Sequence, residues 1–313
     1  MTAIRVVTVT LNPAIDQTIR LDRLRPGQVH RARAVRHDAG GKGVNVASCL
    51  ADWGVPVAAA GILGGENAGV FEALFARKGI KDACLRVDGE TRTNIKIAAD
   101  DATTDINLPG LSCDAGILGR VAASVREAGS PPAFCLLAGS LPEGLPAYGY
   151  RLLAAELGAA GYRIVVDTSG AALEATLAPG AAPPVVLKPN RHELEELAGH
   201  PLPAIADVVA AAERLRDRGI LHVVVSLGPE GALFCGPEGR RLARLAADPA
   251  STVGAGDAMV AGILAALTED PGPDRLARLA TAFAVGKLGL PGPNLPPRDT
   301  IERLAGAVDI SSV

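Results

Sequence analysis

Short apolar runs alternate with helix-patterned segments through most of this chain, and that alternation restricts the possible folds more than any other property of the sequence. Strand-like runs fall at Ile4–Thr10, Val57–Leu63, Phe134–Ala138, Ile164–Asp167, Val185–Lys188 and His222–Ser226. Helical spacing fills the intervals at Val44–Trp53, Ala68–Lys78, Leu152–Leu157, Glu193–Ala198, Val208–Arg218 and Ala258–Leu267. In Ala68–Lys78, for example, Val70, Phe71, Leu74 and Phe75 share one face and Gly79 supplies the stop. Continuous apolar runs are strands covered on both faces. In alternation with helices they predict an α/β fold, a parallel sheet with helices on either side.

Two stretches break this rhythm. Asp16–Arg36 and Val87–Leu108 alternate polar and apolar residues, the pattern of half-exposed antiparallel strands. They are expected to form a small accessory sheet from about residues 12–36 and 87–108 of a single domain spanning 1–313. Such a sheet has one apolar face to cover, so it reads either as a lid over a site or as a dimer contact.

Composition narrows the partners. With 48% hydrophobic residues and a net charge of −3, the chain can bury a full core and carries no signature of disorder. A pI near 6.0 and 3% aromatics offer nucleic acid neither a basic field nor stacking platforms. No apolar run approaches the ~20 residues of a membrane span, and Met1–Val9 reads as a strand, not a signal peptide. The five cysteines are scattered without C-x-x-C spacing, which argues against a zinc site or a disulfide framework and for the cytoplasm. The five histidines show no metal-ligand spacing. A small-molecule partner is expected.

The residues that suggest chemistry cluster in glycine turns. Ser251-Thr252-Val253-Gly254-Ala255-Gly256-Asp257 runs directly into a helical pattern. Small residues let the backbone approach a ligand, and the free N–H groups of a helix start attract an anion such as a phosphate. Asp257 reads either as a helix cap or as a base that takes the proton of an attacking hydroxyl. Ala39-Gly40-Gly41-Lys42-Gly43-Val44-Asn45 is a second such turn, lacking Walker A spacing. Lys42 and Asn45 there suit a phosphate or hydroxyl, or the segment is a tight turn with a solvated lysine.

Four further segments read two ways. Asp16 follows the first strand, where open parallel sheets bind ligands, and is a sugar-hydroxyl acceptor or an ordinary turn residue. Arg92 on the accessory sheet is a phosphate fork or a solvated charge. In Lys188-Pro189-Asn190-Arg191-His192-Glu193, Asn190 and Glu193 stand three apart, as a capping box or as polar groups near Mg²⁺ and its waters. The turn Ser226-Leu227-Gly228-Pro229-Glu230-Gly231 suits a nucleotide phosphate or a hairpin.

Together and in this order, these segments resemble the ribokinase-like (PfkB) carbohydrate kinase family. The resemblance rests on Thr10-Leu11-Asn12-Pro13-Ala14, Gly89-Glu90-Thr91-Arg92-Thr93-Asn94, Thr104-Asp105-Ile106-Asn107, Ala138-Gly139-Ser140-Leu141-Pro142, Leu187-Lys188-Pro189-Asn190-Arg191 and Ser251–Asp257, and spans essentially the whole chain. It implies a three-layer α/β/α sandwich with a mostly parallel central sheet and a β-sheet lid that often pairs in a homodimer. It implies ATP and Mg²⁺ as cofactors and a sugar phosphate as acceptor. Fructose 1-phosphate is expected, with tagatose 6-phosphate and fructose 6-phosphate as alternatives. A nucleoside or free-sugar kinase and a silent sensor are the more distant readings.

The resemblance also implies roles. Asp257 is the base, and the amides of Gly254, Ala255 and Gly256 stabilise the transferred phosphoryl group. Asp16, Gly41, Lys42 and Asn45 hold the sugar, and Arg92 meets its phosphate. Lys188, Asn190, Ser226, Gly228, Gly231 and Gly256 face the nucleotide, and Glu193 lies near the metal. One region departs: in Phe283–Asn294 the prolines change a loop that helps cover adenine in relatives, so no adenine contact is carried over.

Overall fold

A computed structural model describes residues 3–99, 102–247, 254–269 and 272–313. Its strands are β1 (Val6–Thr10), β2 (Ala14–Arg20), β3 (Ala34–Gly40), β4 (Val57–Gly64), β5 (Lys81–Val87), β6 (Thr93–Ala98), β7 (Thr103–Asn107), β8 (Phe134–Ala138), β9 (Arg163–Asp167), β10 (Val186–Leu187), β11 (His222–Ser226), β12 (Ala232–Gly236), β13 (Gly239–Arg244) and β14 (Asp309–Ser312). Its helices are α1 (Lys42–Trp53), α2 (Gly69–Lys78), α3 (Ile117–Ala128), α4 (Gly149–Ala159), α5 (Gly170–Thr176), α6 (Arg191–Ala198), α7 (Ile205–Asp217), α8 (Ala255–Glu269), α9 (Pro273–Lys287) and α10 (Arg298–Ala307).

The main sheet has ten strands in the order β14-β13-β12-β11-β10-β9-β8-β1-β4-β5. From β5 to β11 every neighbouring pair is parallel. The strands β12, β13 and β14 add an antiparallel extension that the sequence pattern does not predict. Central strands feed two cores. In β1 all five side chains are buried; Val6 joins the core under α1, α2, α8, α9 and α10, while Val7 and Val9 join the one under α3 to α7. This is the α/β architecture with helices on both faces that continuous apolar strands require.

Helix boundaries follow local chemistry. The helix α1 starts after Gly41, whose φ of 109° is left-handed backbone, and a Cβ there would lie 2.9 Å from the Thr10 side chain. It ends at Gly54, whose N–H returns to the carbonyls of Leu50 and Ala51. The strand β10 is two residues long, shorter than the apolar run Val185–Lys188, because Pro189 has no N–H to give the ladder; the same register resumes as a single bridge between Asn190 and Ser226.

A second sheet of four strands, β3-β2-β6-β7, stands apart from the first. Residues 21–33 contain no strand, so the polar-apolar alternation of Asp16–Arg36 overstates the length of strand there. The sheet is also mixed. The pairs β2–β3 and β6–β7 are antiparallel, as the pattern predicts, but β2 and β6 pair in parallel. Both leave the same end of the main sheet, β2 from β1 and β6 from β5, so they run in one direction.

Candidate active site

The candidate residues meet at the carboxyl ends of the main-sheet strands, where open parallel sheets offer a crevice. Asp257 lies in the first turn of α8, partly buried. Asn45, one turn into α1, donates from Nδ2 to Asp257 Oδ2 at 2.8 Å. Burial and the nearby charge of Asp167 push the Asp257 carboxyl up to about 6, against the opposing pull of the Asn45 hydrogen bond and the Lys42 and Lys188 ammonium groups. A carboxylate in that range can accept a proton near neutral pH without being fully protonated beforehand. Ser251, Thr252 and Val253 of the same glycine turn lie outside the described residues.

Two lysines from distant segments converge beside it. Lys42 Nζ is 3.5 Å and Lys188 Nζ 3.3 Å from the same oxygen of Asp167, Oδ1. Asp167 closes β9 and is 1% exposed, and its Oδ2 accepts no hydrogen bond from the described residues. Burial lowers the pKa of Lys42, but Asp167, Asp257 and Glu193 outweigh it and hold the group above its usual value. The site thus has two ammonium groups sharing one buried carboxylate, next to a helix N-terminus. That arrangement attracts an anion with more charge than Asp167 alone supplies.

A second group forms on the four-stranded sheet. Asp16 Oδ1 accepts from Asn94 Nδ2 at 3.3 Å across the β2–β6 pair. Burial raises the Asp16 pKa, partly offset by that hydrogen bond and by Lys96 and Arg92. Arg92 spreads its guanidinium over three backbone carbonyls, Pro13 at 3.3 Å, Asn12 at 3.4 Å and Leu108 at 3.4 Å. It therefore ties the sheet to the loop after β1 while its charge remains available to a ligand. Gly40, at the end of β3, packs directly on the Asp16 carboxylate and leads through Gly41 into Lys42, which joins the two groups.

Asn190 and Glu193 form a capping box on α6: each side chain takes the other's backbone N–H at 2.8 Å. Glu193 commits Oε2 to this cap. Asn190 also bridges Ser226, so the Lys188–Glu193 segment and the turn after β11 lie side by side. Arg191 pairs with Glu230 at 3.0 Å across them. In that turn Gly228 has a φ of 61° and Gly231 a φ of 94°. The sequence reading missed Asp167. Its signal was a carboxylate closing the apolar run Ile164–Asp167 at the strand end that faces the crevice.

Comparison with known proteins shows the family. The model of the pfkB family of carbohydrate kinases matches residues 9–300. The chain is 56% identical over 298 residues to 1-phosphofructokinase from Xanthomonas campestris pv. campestris, covering 91% of this chain and 92% of that protein. It is 44% identical to 1-phosphofructokinase from Rhodobacter capsulatus, covering 99% and 98%. Among solved structures, phosphofructokinase-2 from Escherichia coli in complex with fructose-6-phosphate superposes with a TM-score of 0.86 at 28% identity, over 97% of this chain and 98% of that one.

Proposed function

The chain belongs to the pfkB family of carbohydrate kinases and is a sugar-phosphate kinase, and from that premise we propose that it makes fructose 1,6-bisphosphate and ADP from fructose 1-phosphate and ATP. The observation that carries the mechanism is Asp257, held by Asn45 at the start of α8 with its carboxyl raised to about 6. Asp257 takes the proton from the acceptor hydroxyl as that oxygen attacks the γ-phosphorus of ATP. The new P–O bond forms, the bond to the ADP oxygen breaks, and the electron pair leaves with ADP. The amides of Gly254, Ala255 and Gly256 face the charge that spreads over the transferred group.

Asp16, Gly41, Lys42 and Asn45 hold the sugar, and Arg92 meets the phosphate the acceptor already carries. Lys188, Asn190, Ser226, Gly228 and Gly231 face the nucleotide. Among the described residues no cluster of three or more His, Cys, Asp or Glu could hold a metal. Mg²⁺ bound through nucleotide phosphates and waters needs no such cluster. Glu193, with the cap engaging only Oε2, fits a water-mediated contact to it. When bound, Mg²⁺ supplies charge neutralisation on the phosphate oxygens.

Val35, Ile106 and Leu108, on and just beyond the four-stranded sheet, are 49%, 43% and 38% exposed. This supports a homodimer in which a second copy covers that sheet. The free cysteines support a cytoplasmic setting, and no helix among the described residues is long and apolar enough to cross a membrane.

The test is an ADP-release assay with Mg-ATP and four acceptors: fructose 1-phosphate, fructose 6-phosphate, tagatose 6-phosphate and free fructose. The highest kcat/KM is expected with fructose 1-phosphate. A preference for a 6-phosphate would overturn the acceptor and keep the mechanism.

A further inference from the structure

The Gly254–Gly256 turn is bracketed by two buried ammonium groups. A Cβ at Gly256 would lie 3.9 Å from Lys188 Nζ, and a Cβ at Gly254 would lie 3.2 Å from Lys287 Cε and 3.8 Å from its Nζ. Lys188 shares Asp167 with Lys42. Lys287 has no such partner: among the described residues no carboxylate comes within ion-pair distance, and Nζ donates to the Leu290 carbonyl at 2.7 Å.

Lys287 is the last residue of α9, where a cation is favoured by the helix dipole. That benefit is equally available to a solvated lysine, yet this one is 7% exposed. A buried ammonium without a counter-charge is costly unless something anionic arrives beside it. Burial accordingly lowers its pKa, and Asp257 is among the charges that pull it back up.

The loop that follows Lys287 is fastened from outside. Lys78 Nζ donates to Ser48 Oγ at 2.7 Å and to the Pro293 carbonyl at 3.1 Å, and pairs with Asp52 at 2.7 Å. Asp52 also accepts from the Leu295 N–H at 3.0 Å, and Ser48 donates to the Pro293 carbonyl. Ser48 and Asp52 sit on α1, the helix that presents Lys42 and Asn45. The loop whose Leu290 carbonyl accepts from the ammonium is thereby tied to the helix that presents Lys42 and Asn45.

We infer that Lys287 is a positioning residue for phosphoryl transfer: its ammonium, packed behind Gly254, holds the turn and biases it toward the charge developed on the transferred group. The inference rests on the kinase reading above. It assigns a second buried cation to the turn, at Gly254, beside the one that Lys188 places at Gly256.

The test uses K287M and K287A beside the native enzyme, with Mg-ATP and the acceptor the native enzyme prefers. Activity of the native enzyme is required first, so its silence would count against the kinase reading. K287M keeps the bulk of the stem. It is expected to lose at least ~10-fold in kcat, toward the range seen for lost oxyanion contacts, with the acceptor KM changed less than about 3-fold and an unchanged or higher melting temperature. In K287A, methylammonium is expected to restore kcat in a saturable way. Tetramethylammonium at equal ionic strength, which has no N–H, is expected to do nothing. A kcat for K287M within about 2-fold of native, or an equal response of K287A to both ions, would overturn the inference. Should K287M melt too low to assay, the amine comparison on K287A decides alone.

Discussion

Asn45 donates to the carboxylate of Asp257 across 2.8 Å, joining the first turns of α1 and α8, two helices that begin more than half the chain apart. The hydrogen bond restrains the rise in the Asp257 pKa that burial and Asp167 impose. The proposed base and the residue that holds it therefore come from distant segments of the chain.

Removing the proposed base comes first. D257N is expected to lower kcat by at least ~10²-fold, the low end for a lost general base, with ATP binding by calorimetry essentially intact. Retained turnover would assign the proton to another group.

The acid limb of kcat/KM is expected near the value to which Asp257 is raised, about 6. A base works deprotonated, so activity falls as pH drops through that value. In N45A the restraining hydrogen bond is gone, the pKa rises further, and the limb moves to higher pH. In D167N a negative neighbour is gone and the limb moves to lower pH. A pH profile of each variant reads both shifts, and identical profiles would exclude Asp257 as the titrating group.

The same shift has a sign in stability. The folded protein holds the Asp257 proton more tightly than the unfolded chain, from its ordinary 3.8 up to about 6. In that window the native state binds more protons, so stability falls as pH rises through it. D257N escapes this loss. It is expected to melt above the native enzyme at about pH 8 and to converge with it toward about pH 4, as differential scanning fluorimetry would read.

Arg92 is assigned to the acceptor side. R92A is expected to raise the sugar-phosphate KM at least ~10-fold through a lost charge-assisted contact, with the ATP KM moving far less. Because Arg92 also ties down the Asn12 and Pro13 carbonyls, R92K is the informative companion. It keeps the charge and loses the fork, and should fall between the two.

The strands that were legible in the sequence are those buried on both faces, such as β1, β4 and β8, where apolarity runs without interruption. The strand β14 was not legible. Its residues Asp309–Ser312 have no apolar pattern, and it exists because β13 offers an edge far away in sequence. The glycine turns at Gly40–Gly43 and Gly254–Gly256 were visible because ligand approach and helix initiation leave local marks. Asp167 was not singled out. Its meaning depends on Lys42, 125 residues away, and on Lys188 just past the end of the next strand. Lys287 likewise reads as an ordinary helix-end lysine until Gly254 is found against it.

Among the described residues the two sheets share no ladder: each strand of β3-β2-β6-β7 pairs within its own sheet. The groups assigned to the nucleotide, the proton and the transferred phosphoryl stand on the main sheet and its helices, whereas Asp16, Asn94 and Arg92 stand on or beside the smaller one. On the proposed assignment, substitutions along β2 and β6 would change contacts to the acceptor without breaking a hydrogen bond of the main-sheet ladder, so acceptor choice and phosphoryl transfer would be separable in part.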